Sequence, residues 1–158
     1  MIKQFFNNYK IIVCFIFYIL ITLFIFLSSL TNGKESGEQS SFVWAILSTA
    51  LNIEGNYELL IRKLLGHFGI FLLLAIFASV VYYRFVEIIF TNRVLFYFVF
   101  FTLLAGLLTA VLSEIFQLSI FVSGRSAEFK DILIDFSGFL LGFIVFISCR
   151  FLMYKKLK

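Results

Sequence analysis

Proline is absent from this sequence of 158 residues, cysteine occurs only twice, and charged residues make up just 14% of the chain. Without proline, no helix can carry a proline kink. Cys14 and Cys149 offer neither a disulfide framework nor metal-ligand spacing, so we interpret both as small apolar side chains. The scarcity of charge, with 62% hydrophobic residues, excludes an ordinary soluble domain. No basic stripe alternates with aromatics, so we expect no nucleic-acid partner.

Long apolar runs are what the sequence has instead, and they predict an all-α membrane protein. The first run contains twenty residues, which form about 30 Å of helix and match one bilayer core. It is too long for a signal peptide and lacks an A-x-A-like cleavage site, so we interpret it as an uncleaved span. The prediction is a single domain over residues 1–158 with four spans, at about 11–30, 64–83, 94–113 and 132–149.

The longest polar stretch, residues 31–63, follows the first span and opens with the turn-rich letters TNGKESGEQSS. Within it, the segment from Ser41 to Ile53 is apolar and contains Trp44, the only tryptophan. Thirteen residues are too few to cross a bilayer, which favours a short interfacial or re-entrant helix with Trp44 at the headgroups. A short lid packed on the bundle is the alternative.

Basic residues in the flanks of the spans predict the orientation. With both termini inside, the cytoplasmic segments 1–10, 84–93 and 150–158 contain eight Lys and Arg in 29 residues. The opposite segments, 31–63 and 114–131, contain only five in 51 residues. The sequence therefore predicts a multi-pass protein of the bacterial cell membrane with cytoplasmic N- and C-termini.

Polar residues gather at the outer ends of three predicted spans. Ionisable groups inside a membrane are costly, and they are by default a functional-site hypothesis. The candidate ligand-binding cluster comprises Lys63, His67, Glu114, Gln117, Arg125, Asp131 and Asp135. We expect neither a metal nor a cofactor there, and the sequence names no catalytic residue.

Helical spacing places the candidate residues of the fourth span on one face. Asp131, Asp135, Gly138 and Gly142 follow one another at i, i+4, i+7 and i+11. The glycines would let another helix approach closely and press the aspartates against a protein partner instead of lipid. The span falls short of the bilayer thickness if it begins after Asp135, so we expect Asp135 to be embedded, with a snorkelling Arg150 as the alternative.

Two further pairs lie one turn apart, Glu114 with Gln117 and Lys63 with His67. A carboxylate at this depth needs a cation, and the guanidinium of Arg125 is the expected partner of Glu114. Alternatively, the whole cluster is a buried ion-pair network that only fixes helix register.

Four linked motifs lie between residues 62 and 142, namely Lys63-x-x-x-His67-Phe68, Ser113-Glu114-x-x-Gln117, Gly124-Arg125 and Asp131-Ile132-Leu133-Ile134-Asp135-x-x-Gly138-x-x-x-Gly142. Their order resembles the VanZ-like family of small bacterial membrane proteins. Ser123 stands where that family often has proline, and Asp135 stands where it often has asparagine. The resemblance implies an association with low-level resistance to teicoplanin, a lipidated glycopeptide antibiotic.

The leading hypothesis is a cell-envelope protein whose polar pocket at the outer leaflet influences access of lipoglycopeptides. Its partners would be membrane lipids and either a lipoglycopeptide or a lipid-linked cell-wall precursor. A membrane enzyme is the first alternative, with Glu114 or Asp135 as general base and His67 or Arg125 stabilising negative charge. A small transporter or accessory subunit is the second, and it would require a homo-oligomer because four spans leave little room for a substrate path.

Overall fold

The computed structural model describes residues 9–51, 57, 60, 62–90, 92–118, 124 and 126–156, and all its regular elements are helical. Helix α1 is Tyr9–Ser29 and α2 is Gly33–Leu51. A π-helical segment, Arg62–Gly69, continues directly into α3, Ile70–Ile89. Helices α4, Val94–Gln117, and α5, Phe129–Lys156, complete the chain.

Within the described residues, four helical stretches are long and apolar enough to cross a membrane, as predicted: Tyr9–Ser29, Arg62–Ile89, Val94–Gln117 and Phe129–Leu152. The third span continues beyond Ser113 to Gln117. The second span exceeds its predicted end, because Arg84–Ile89, expected to belong to a short connection, is helical. These six residues include only two charged side chains, which pair with each other across one turn, so nothing stops the helix there.

Helix α2 corrects the prediction of a solvated turn after the first span. The helix begins at Gly33, eight residues before the apolar segment that was expected to be helical. The side chain of Asn32 starts it by accepting the backbone N–H of Glu35 at 2.9 Å. An asparagine N-cap followed three residues later by glutamate is a recognised helix start, and it outweighs the polar composition.

Helix α3 lies at the centre and packs against α1, α4 and α5. Its buried side chains form the main core with one residue each from the other three helices: Phe71, Leu74, Ala75 and Ala78 with Ile25, Ala110 and Phe139. The outward faces remain strongly apolar, as Leu27, Leu95 and Phe96 are each more than 60% exposed. Such faces suit lipid, so this is a multi-pass membrane protein.

Helix α5 approaches the central helix most closely at Gly138 and Gly142. A Cβ atom added to Gly138 would lie 2.9 Å from the carbonyl carbon of Phe68, and one added to Gly142 would lie 2.9 Å from the Cβ of Ala75. Both glycines are buried. The two backbones therefore touch along this seam, and the helices run parallel because residue numbers increase together on both sides.

Candidate functional site

An ion pair joins the π-helical segment to the first turn of α5. The ammonium of Lys63 donates to Asp131 Oδ1 at 2.7 Å and also lies 3.5 Å from Glu128 Oε2. Asp131 is buried, whereas Lys63 and Glu128 reach the surface. The pair thus ties the π-helical segment to α5 at a partly exposed position.

One turn deeper, the same two helices bring His67 to Asp135. His67 Nδ1 lies 3.0 Å from Asp135 Oδ1, and Nε2 lies 4.0 Å from Asp131 Oδ2. Asp135 is only 1% exposed, and its second oxygen, Oδ2, has no hydrogen-bond partner among the described residues. An unpaired buried carboxylate oxygen is costly, and a ligand is one explanation for it.

Glu114 comes from the end of α4 and is 2% exposed. Gln117 Nε2 donates to its Oε1 at 2.6 Å, and the backbone N–H of Glu128 donates to its Oε2 at 3.1 Å. Both partners are neutral. The expected partner, Arg125, lies outside the described residues, so that pairing stays a prediction.

A partly open cavity of about 370 Å³ adjoins these groups. Its lining includes the charged or imidazole side chains of Arg62, His67, Glu114 and Asp135. Helices α1 and α2 and the π-helical segment also supply apolar lining, which includes Phe24, Ile25, Val43 and Leu65. A smaller polar cavity of about 130 Å³ shares Ser36, Arg62, His67 and Gln117 with it. The volume of the larger cavity falls in the range of small-molecule sites.

Two contributions to this cavity were not predicted. Arg62 lines both cavities, and its Nε is buried without a hydrogen-bond partner among the described residues. Helix α2 adds Ser36, Gln39 and Ser40, which the sequence placed in a solvated loop. The helix-start signal at Asn32 could have revealed them, since 36 and 40 then share a face.

The π-helical segment presents both Lys63 and His67 to α5. Its wider turn differs from that of an α-helix, and π-helical turns occur frequently at functional sites. The structure thus brings together Lys63, His67, Glu114, Gln117, Asp131 and Asp135, whereas Gly138 and Gly142 lie in the seam just below them.

Comparison with curated proteins and with solved structures gives no significant match. A family model described as VanZ/LLP1 matches residues 14–152, which is nearly the whole chain. The matched range includes every residue of the polar site. The chain therefore belongs to the VanZ/LLP1 family.

Proposed function

We propose that this protein is a bacterial cell-envelope membrane protein that binds the head of a lipid-anchored envelope molecule at the outer leaflet. Binding there alters the access of lipoglycopeptide antibiotics to their cell-wall target. Both termini lie in the cytoplasm in this proposal, and the polar site faces outward.

The observation that carries the proposal is the mixed lining of the 370 Å³ cavity, which is partly charged and partly apolar. Arg62 and Asp135 offer opposite charges, and each has a buried polar atom without a partner among the described residues. Phe24, Val43 and Leu65 offer apolar surface to the same cavity. A ligand that satisfies both kinds of lining has a polar head and a hydrocarbon part, as lipid-linked precursors and acylated antibiotics do.

The orientation rests on the excess of basic residues at the segments assigned to the cytoplasm. We expect a cysteine introduced at Lys34 or Glu38 to react with an impermeant thiol reagent on intact cells, in a background without Cys14 and Cys149. A cysteine at Lys155 should react only after the cells are opened. The reverse pattern would remove the outer-leaflet site.

The resistance test compares two antibiotics that differ in lipid anchoring. Expression in a susceptible Gram-positive host should raise tolerance to teicoplanin more than to unlipidated vancomycin, because an acyl-anchored drug shares the leaflet with the cavity. Glu114→Gln and His67→Gln should each abolish the difference between the two tolerances. Each changes the hydrogen bonding of a cavity-lining group, and its possible charge, at nearly constant size.

Glu87→Gln is the matched control, because this carboxylate pairs with Arg84 near the other end of α3 and is well exposed. It should leave tolerance unchanged at equal membrane abundance. Equal tolerance to both drugs, or full tolerance in both site variants, would contradict the proposal.

An enzyme acting on a lipid or cell-wall precursor is the second candidate, and the His67–Asp135 hydrogen bond favours it. A carboxylate that orients an imidazole is a common arrangement for proton transfer. Mass spectrometry of lipid extracts separates the two functions. An envelope lipid covalently altered by the wild-type protein, but not by Glu114→Gln, would favour the enzyme, and unaltered lipids would favour binding alone.

A further inference from the structure

The buried end of the site carries more negative charge than its described neighbours balance. Glu114 and Asp135 are almost fully buried, and among the described residues their hydrogen-bond partners include no Lys or Arg side chain: Glu114 accepts from Gln117 and the backbone of Glu128, and Asp135 lies 3.0 Å from the imidazole of His67. Lys63 is already paired with Asp131. Among the described residues, no ion pair joins Arg62 to either carboxylate. Two adjacent carboxylates in a membrane-embedded wall favour a doubly charged cation.

The geometry is close to that of a metal site. One ligand atom each from His67, Glu114 and Asp135 can be chosen so that all lie within 4.8 Å of one another. Metal–nitrogen and metal–oxygen bonds of about 2.0–2.2 Å place ligand atoms roughly 3–4 Å apart. Small side-chain rotations therefore suffice to bring the three atoms around one ion.

The surrounding groups match the support that metal ligands usually have. Gln117 and the backbone N–H of Glu128 fix the Glu114 carboxylate and leave its remaining lone pairs available. If His67 binds through Nδ1, its Nε2 faces Asp131 Oδ2 at 4.0 Å, and Asp131 is in turn held by Lys63. A ligating imidazole typically has such a carboxylate on its second nitrogen.

We propose that His67, Glu114 and Asp135 form a binding site for one divalent transition-metal ion, of the class of Zn²⁺ or Mn²⁺. The imidazole nitrogen favours these ions over Ca²⁺ and Mg²⁺, which take oxygen ligands. Asp135 Oδ2, buried and unpartnered within the described part of the chain, becomes a ligand. Three protein ligands leave coordination positions open toward the cavity.

No sequence motif announces this site, because its ligands lie 47 and 21 residues apart on three different helices. No metal was therefore expected from the sequence alone. The inference does not depend on antibiotic access, and it can be tested on purified protein.

The full chain would be purified in detergent without a polyhistidine tag, in a background with Cys14→Ala and Cys149→Ala to remove thiol ligands. After treatment with a chelator, the protein would be loaded with Zn²⁺, desalted, and analysed for bound zinc. We expect about one Zn²⁺ per chain. Asp135→Asn, His67→Gln and Glu114→Gln should each weaken binding by about 10-fold or more, because each removes one of three ligands.

Glu87→Gln is again the control and should bind zinc as the parent does. A second readout avoids dependence on the folding of the variants: Zn²⁺ should raise the unfolding temperature of the parent, whereas Ca²⁺ should not. Absence of zinc from the parent would overturn the site. Equal zinc in the parent and in Asp135→Asn would identify adventitious binding and overturn it too.

Discussion

Replacing Gly138 or Gly142 with alanine is expected to destabilise the protein strongly, although each change adds only one methyl group. The added Cβ atoms would overlap the backbone of Phe68 and Leu72, which cannot turn aside as a flexible side chain can. Overpacking of this kind costs about 1–3 kcal/mol per site and displaces the helix that carries Asp131 and Asp135. Thermal unfolding of the detergent-solubilised protein, followed by size-exclusion chromatography, measures the effect.

Gly37 provides the matched control, because it lies within helix α2 and a Cβ added there meets no atom within 4 Å. Gly37→Ala should raise stability by up to about 1 kcal/mol, since alanine favours a helix over glycine. If Gly138→Ala unfolds at the parent temperature or above, the seam is not closely packed.

His67→Ala is expected to have the second large effect, in the presence of a chelator so that no metal contributes. The substitution removes the imidazole hydrogen bond from the buried Asp135 carboxylate. Removing one member of a buried pair typically costs about 3–5 kcal/mol, much of it from the group left behind. The double variant His67→Ala, Asp135→Ala should therefore be less destabilised than the sum of the single changes.

The exposed Arg84–Glu87 pair is the comparison for the buried His67–Asp135 pair. Its side chains are 36% and 41% exposed, and exposed pairs are worth about 0–1 kcal/mol. Glu87→Ala should thus change the unfolding temperature little. Additive effects at His67 and Asp135 would mean that their hydrogen bond does not stabilise the fold.

The four spans could be predicted because apolar composition alone decides which segments can enter a bilayer. The ends of the helices could not be predicted equally well. The second span continues through Arg84 to Ile89 because this segment contains neither proline nor glycine, and its two charged side chains can pair along the helix. Helix α2 was missed because composition was given more weight than the cap at Asn32, although the cap is a local and readable signal.

Most residues that the structure brings together at the candidate site could be identified from the sequence, but which of them pair with each other could not. Sequence spacing placed Lys63 with His67 and Asp131 with Asp135 on shared faces, yet it did not reveal that residues 68 apart would pair. These pairings depend on the relative axial position of the two parallel helices. It is determined by the close contacts at Gly138 and Gly142, which follow from three-dimensional packing.

The parallel arrangement of α3 and α5 has a consequence for biosynthesis. A chain made from its N-terminus delivers Lys63, His67 and Glu114 to the membrane before the ribosome has completed α5, which carries Asp131 and Asp135. Until that helix arrives, Lys63 and His67 have no access to Asp131 and Asp135, whereas Glu114 already has Gln117 on its own helix. Insertion of the last helix therefore buries these groups and assembles the site in the same step.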